Sequence, residues 1–76
     1  MVIDLIVTDT GDGYTGEVPS IKGCDCWAHT EDEVITKSVE LVHFYLGIPT
    51  ENKIKIDKAR IRKNTSIYKL VIEKEG

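Results

Sequence analysis

The sequence has 76 residues, 10 basic and 13 acidic side chains, a net charge of −3 and 41% apolar residues. At this length roughly 60% of the unfolded chain's surface can be buried, so one domain built as a sheet with a single helix across it is favoured over a two-layer fold around a deep cleft. The composition argues against disorder, and the longest uncharged apolar runs, such as Leu5-Ile6-Val7 and Leu70-Val71-Ile72, fall far short of the about 18 residues of a membrane-crossing helix. Residues 2–8 are β-branched and almost continuously apolar, with Asp4 the exception, and predict a first strand. Thr10-Gly11-Asp12-Gly13 predicts a turn. Residues 14–18 then alternate, with Tyr14, Gly16 and Val18 on one face and Thr15 and Glu17 on the other, which completes a hairpin. Pro19 cannot donate to a ladder and closes that strand. Ile21-Lys22-Gly23 reads as the next turn and residues 24–29 as a third strand.

Thr30-Glu31-Asp32-Glu33 is a capping box: the Thr30 hydroxyl can accept from the Glu33 amide while the Glu33 carboxylate reaches back to the Thr30 amide. Three acids in the first turn suit the positive end of the helix dipole. Ile35, Val39, Val42 and Leu46 follow as an apolar stripe, flanked by Val34, Ser38, Leu41 and Tyr45, and Gly47 with Pro49 ends the helix. Beyond it, Lys53 to Ile61 keeps period two only as far as Asp57 and slips at Ala59 and Ile61, so a basic strand with an irregular end is expected, with a helical turn as the alternative. Asn64-Thr65-Ser66 is a turn and residues 67–73 a last strand. The expected fold is α+β: an antiparallel sheet in the order β-β-β-α-β with one further strand, covered on one face by one helix, over residues 1–76 as a single domain.

Charge is unevenly placed. Residues 1–50 carry two basic and nine acidic groups, and residues 51–76 carry eight basic and four acidic ones. Two faces with different partners would follow, or one face complementing another; a pair of solvated surfaces is the plainer reading. Met1-Val2-Ile3-Asp4 places no basic segment before an apolar stretch, so no secretory signal is read there and a cytoplasmic, reducing compartment is expected.

Few residues invite chemistry. Cys24, Cys26, His29 and His43 include zinc and copper ligand types, but C-x-C is not the usual zinc spacing and His29 falls on the other strand face from the cysteines. Packing of both thiols in the core is preferred, no metal or other cofactor is expected, and a disulfide between side chains two apart on a strand is not. His29 and His43 could act as acid or base, yet nothing fixes a triad or a carboxylate pair. Gly11-Asp12-Gly13 opens a strand rather than a helix and is not a phosphate loop. Lys53, Lys55, Lys58, Arg60, Arg62 and Lys63 form a basic cluster that could contact nucleic-acid phosphates, with Tyr68 beyond; an edge strand armoured with Lys against aggregation is the competing reading. Trp27 shares a strand face with Asp25 and His29, opposite the two cysteines. If the cysteine face meets the helix, Trp27 stands on the open face as a partner anchor.

Gly13-Tyr14-Thr15-Gly16-Glu17-Val18-Pro19-Ser20-Ile21-Lys22-Gly23-Cys24, followed by a helix opening Thr30-Glu31-Asp32-Glu33-Val34, resembles the HicB-like antitoxin family over about residues 2–48. Its hallmark is a Gly-Tyr…Glu-Val-Pro…Gly-Cys stretch ahead of a helix starting Thr-x-x-Glu. The resemblance implies a β-β-β-α-β, partial ribonuclease-H-like core without catalytic acids. It implies a non-enzymatic antitoxin of a type II toxin-antitoxin system that masks a small basic RNA-cleaving toxin, HicA. Longer members add a DNA-binding segment, whereas the thirty or so residues after Leu46 read here as strands, and Ala28-His29 stands where Gly-Asp is common. The partner-binding residues expected on this reading are Asp12, Tyr14, Glu17, Asp25, Trp27 and His29. Self-association through a sheet edge or the helix is expected too, since so small a sheet has little core of its own. The alternatives are an orphan nucleic-acid-binding module using the basic segment, and a residual metal-dependent nuclease using Asp4, Asp9 and Asp12.

Overall fold

A computed structural model describes residues 1–72. Six elements follow in the order β1 (Val2–Asp9), β2 (Tyr14–Glu17), β3 (Asp25–Ala28), α1 (Glu31–Leu46), β4 (Ile54–Arg62) and β5 (Thr65–Ile72). The strands form one antiparallel sheet in the spatial order β3-β2-β1-β5-β4. The α+β expectation holds, with the sixth element extending the β-β-β-α-β series. The last strand begins two residues earlier than expected, at Thr65, and Glu73 lies outside the described residues. Among the described residues no helix is long and apolar enough to cross a membrane.

Alternation does what it promised. Ile3, Leu5 and Val7 of β1 and Tyr68, Leu70 and Ile72 of β5 are buried on one face, where they meet Val34 and Val42 of α1 together with Val18, Cys24 and Ala28. The clamp between the central strands is reciprocal at their ends: the Met1 ammonium donates to the Ile72 carbonyl at 2.9 Å, and the Ile72 amide donates to the Met1 carbonyl at 2.7 Å. The irregularity expected near Ala59 is a β-bulge. Lys58 opposes Tyr68, Arg60 opposes Ile67, and Ala59 is the extra residue between them. A bulge turns the strand locally. Here it sends Arg60 and Arg62 to the face away from the helix, whereas an unbroken register would have sent Arg60 towards it.

Helix α1 starts and stops where its caps stand. The Glu33 amide donates to the Thr30 hydroxyl oxygen at 3.1 Å. The return half of the expected box differs: the Glu33 carboxylate accepts from the Thr30 hydroxyl at 3.3 Å rather than from the Thr30 amide. At the other end Gly47 adopts φ 65°, and the Ile48 amide donates back to the His43 carbonyl at 2.9 Å, closing a Schellman-type end.

The helix stripe is rotated from its expected centre. Val34, Ser38, Val42 and His43 are buried, Ile35 and Val39 line a flank, and Leu46 is 37% exposed. The reason is Gly16. A methyl group there would collide with the Ser38 hydroxyl and stand 3.1 Å from Val34 Cγ2, so the missing side chain on β2 makes the slot into which the small Val34–Ser38 turn settles. Ser38 donates to the Val34 carbonyl at 2.7 Å, leaving its oxygen to accept from the Cys26 thiol at 3.3 Å. Overpacking of this kind costs about 1–3 kcal/mol. Gly16→Ala is expected to lower stability by that amount, and Ser38→Ala in the same chain to recover part of it, the double-mutant cycle in urea giving a coupling of at least about 0.5 kcal/mol. Additive losses would show that the two positions do not share the slot.

Candidate functional site

Helix α1 packs over β1, β2 and β3 on one side of the sheet, leaving Ile56 and Ile61 of β4 40% and 63% exposed there; among the described residues nothing packs on the other face, and cross-strand register fixes what stands on it. One row reads Trp27, Thr15, Thr8, Thr65, Arg62 across β3, β2, β1, β5 and β4. The next reads Asp25, Glu17, Ile6, Ile67, Arg60. A third holds Asp4, Lys69 and Asp57, with Asp4 and Lys69 joined as an ion pair. Val2, Val71 and Lys55 make the last. The face therefore runs from acids at the β3 edge, through Ile6 and Ile67, to arginines at the β4 edge.

Trp27 is the largest apolar side chain on this face and is 40% exposed. Its indole lies over Gly13, where a methyl group would come within 2.6 Å of Trp27 Cε2 and 2.7 Å of the Ala28 carbonyl oxygen. Gly13 closes the expected turn, its carbonyl accepting from the Thr10 amide at 2.9 Å, but its φ is not positive, unlike those of Gly11, Gly23 and Gly47. Its role is to leave room for the indole. The His29 ring meets that indole edge-on, with centroids 4.7 Å apart, and the Trp27 carbonyl accepts from Lys37 at 3.4 Å. Trp27 is thus held as a fixed, half-exposed plate, flanked on its own strand by Asp25 and on β2 by Glu17.

The other expected partner residues divide. Asp12 is exposed in the β1–β2 turn, where it accepts from the Thr10 hydroxyl at 2.9 Å. Tyr14 lies on the helix side, half-buried against the core and away from Trp27. Cys24 is 3% exposed and Cys26 half-buried, both free thiols facing the helix as expected. Burial above all, with the neighbouring Cys26 and Asp25 charges adding, pushes the Cys24 thiol up, which keeps it protonated and inert. His43 is buried, and its Nδ1 lies 3.2 Å from the Ile48 carbonyl, an acceptor that requires that nitrogen to carry the proton.

The three early acids do not converge. Asp4 is on the open face bound to Lys69, Asp9 accepts from the Gly11 amide at 2.9 Å on the opposite face, and Asp12 is in the turn. Among the described residues no three His, Cys, Asp or Glu side chains are grouped to hold a metal ion. The basic segment is split as well. Lys55, Arg60 and Arg62 stand on the open face, Lys53 precedes β4, Lys63 occupies the turn at φ 42°, and Lys58 is on the helix side with its ammonium 5.6 Å from the Tyr68 ring centroid. β4 is an edge strand, so its lysines also guard an open ladder. Between α1 and β4 an open, apolar groove of about 640 Å³ is lined by Ile35, Val39, His43, Thr50 and Ile56. The Glu40 carboxylate lines it too, and the His43 imidazole is tied to the Ile48 carbonyl through Nδ1.

Tyr68, just beyond the basic segment in sequence, is 7% exposed and cannot offer its ring to a base. Its hydroxyl donates to Glu31 Oε2 at 2.8 Å, tying β5 to the first turn of α1. No family model, no curated protein and no solved structure matches this chain.

Burial first, then the hydrogen bond to the Glu31 carboxylate, pushes the Tyr68 phenol from 10.0 up to about 12. A pKa raised in the folded state means stability that is complete below the unfolded value and lost as pH rises through the folded one. Of the three tyrosines, one is expected to ionise near 12 in an absorbance titration, and stability to fall between 10 and 12. Tyr68→Phe is expected to abolish the late absorbance step and flatten that fall. An unchanged titration in the variant would show that Tyr68 is not the late group.

Proposed function

We propose that this chain is a non-enzymatic, antitoxin-like interaction domain that binds a small basic RNA-cleaving toxin of the HicA kind and covers its active site. The observation that carries this reading is Trp27, 40% exposed and fixed over Gly13, with Glu17 and Asp25 beside it on an uncovered sheet face. Immobilised aromatic side chains are the usual anchors of protein interfaces, because little conformational freedom remains to be lost on binding. The acids beside it belong to a half of the chain with nine acidic and two basic groups, which complements a basic surface and speeds its approach. Asp12 and His29 border the same end of the sheet, at the β1–β2 turn and just beyond β3. The Gly-Tyr…Glu-Val-Pro…Gly-Cys resemblance over residues 2–48 supplies the identity of the partner class, and the cytoplasm is the compartment in which such a partner acts.

The test is inhibition. A HicA-like ribonuclease encoded with this chain, assayed on a single-stranded RNA, is expected to lose activity on titration with the chain, and the effect to weaken with added salt. Trp27→Ala is expected to raise the dissociation constant about 30-fold, the equivalent of about 2 kcal/mol, and Glu17→Lys with Asp25→Lys to slow association. Undiminished RNA cleavage, or inhibition indifferent to all three substitutions, would sink the reading.

A further inference from the structure

We propose that the uncovered sheet face is where two copies of this chain pair, face to face about a two-fold axis running parallel to β1 and β5. The face carries its own complement. Glu17 and Asp25 stand at one side and Arg60 and Arg62 at the other, with Ile6 and Ile67 between them. A two-fold axis parallel to the strands reverses left and right while keeping each row at its own height. The second copy's Arg60 then lies above Glu17 and Asp25, and its Arg62 above the Thr15–Trp27 end of the neighbouring row, within reach of the indole face. Ile6 and Ile67 meet their counterparts near the axis, and the Asp4–Lys69 pair meets the same pair reversed, so the four charges alternate. A two-fold axis perpendicular to the strands would instead set acids on acids, and the charge pattern excludes it. The selected arrangement is isologous and closed, so it ends at the dimer.

The edges offer no such match. β4 is the long exposed edge, but it carries Lys55, Lys58, Arg60 and Arg62 and is interrupted by the bulge at Ala59, both of which oppose pairing with its own copy. β3, the opposite edge, has only four residues. The face itself is about 19 Å across five strands and about 24 Å along β1 and β5. Two copies in contact bury on the order of 1,000 Å², the lower bound of a specific interface, which sets the expected dissociation constant in the micromolar range. The pairing stands independently of the toxin reading, although a basic partner would compete for Glu17, Asp25 and Trp27.

Sedimentation equilibrium on the whole chain, from about 1 µM to several hundred micromolar, tests this. The native protein is expected to pass from monomer to dimer, with the equilibrium shifted to monomer by salt and with emission from its single tryptophan moving to longer wavelength on dilution. A variant with Glu17→Arg and Asp25→Arg has two basic sides, and one with Arg60→Glu and Arg62→Glu has two acidic sides. Each alone is expected to stay monomeric at concentrations that pair the native chain, their equimolar mixture to form a one-to-one dimer, and the four changes combined in one chain to restore self-pairing. A native chain that stays monomeric throughout, a mixture that does not pair, or single-sided variants that pair as the native chain does would overturn the proposal; the native dilution series decides it even where a variant fails to fold. A chain that inhibits the toxin but never pairs would overturn the dimer and leave the proposed function standing, and a chain that pairs but inhibits nothing would do the reverse.

Discussion

The structure depends on one close approach, that of helix α1 to strand β2 at Gly16. Among the described residues one sixteen-residue helix packs on the sheet, over β1, β2 and β3, and it can close over the core only if its backbone comes near the strand beneath it. Gly16 removes the side chain that would hold it off, and Val34 and Ser38 are small enough to enter the space. The Ser38 hydroxyl, which would otherwise be buried without a partner, donates to Val34 and accepts from Cys26. Among the described residues no buried side-chain nitrogen or oxygen is left without a hydrogen bond. The Cys26 thiol, the serine and the glycine therefore form one packing device.

The same economy leaves the second face of the sheet open. Among the described residues no second layer packs on that face, so its side chains have to be tolerable in water while still offering apolar area. The arrangement found there meets both demands. Threonines, an ion pair and flanking charges keep it solvated, while Trp27, Ile6 and Ile67 supply apolar area. Its charges are ordered because of topology. After α1 the chain does not return to the centre of the sheet with β4; it lays β4 at the far edge and brings β5 back to pair with β1. Had β4 paired with β1, its arginines would sit in the middle of the face. The hairpin instead places the acidic and basic portions of the sequence at opposite edges.

Much of the local structure was legible because it is governed by neighbours in the chain. The hairpin at Gly11-Asp12-Gly13, the stop at Pro19, the Thr30 cap, the Gly47 end and the slip at Ala59 all rest on backbone preferences or short-range hydrogen bonds, and all appear. The outward Trp27 was also legible, since two cysteines at the same spacing claim the inner face. The rotation of the helix stripe was not, because periodicity alone does not reveal that the strand beneath has a gap at Gly16. The space that Gly13 leaves was hidden for a related reason: nothing local distinguishes a turn glycine needed for its φ from one needed because a tryptophan fourteen residues later lies on it. Tyr68 lies just beyond the basic residues in sequence, whereas the fold buries it against Glu31, 37 positions away.

Alternation, helical periodicity and capping act over a few residues, and for that reason the elements, the helix caps and the apolar side of each strand were legible in the sequence, whereas the start of β5, two residues early, was not. The sequence also determined an acidic first half and a basic last third. How those charges are disposed in space came from the fold, since it depends on strand order and on the phase shift introduced by one bulged residue. The fold alone decided which glycines are obligatory and that Asp4, Asp9 and Asp12 stay apart. Those outcomes arise from contacts between residues distant in the chain, where a side chain's neighbours are set by register and packing, and no local preference encodes them.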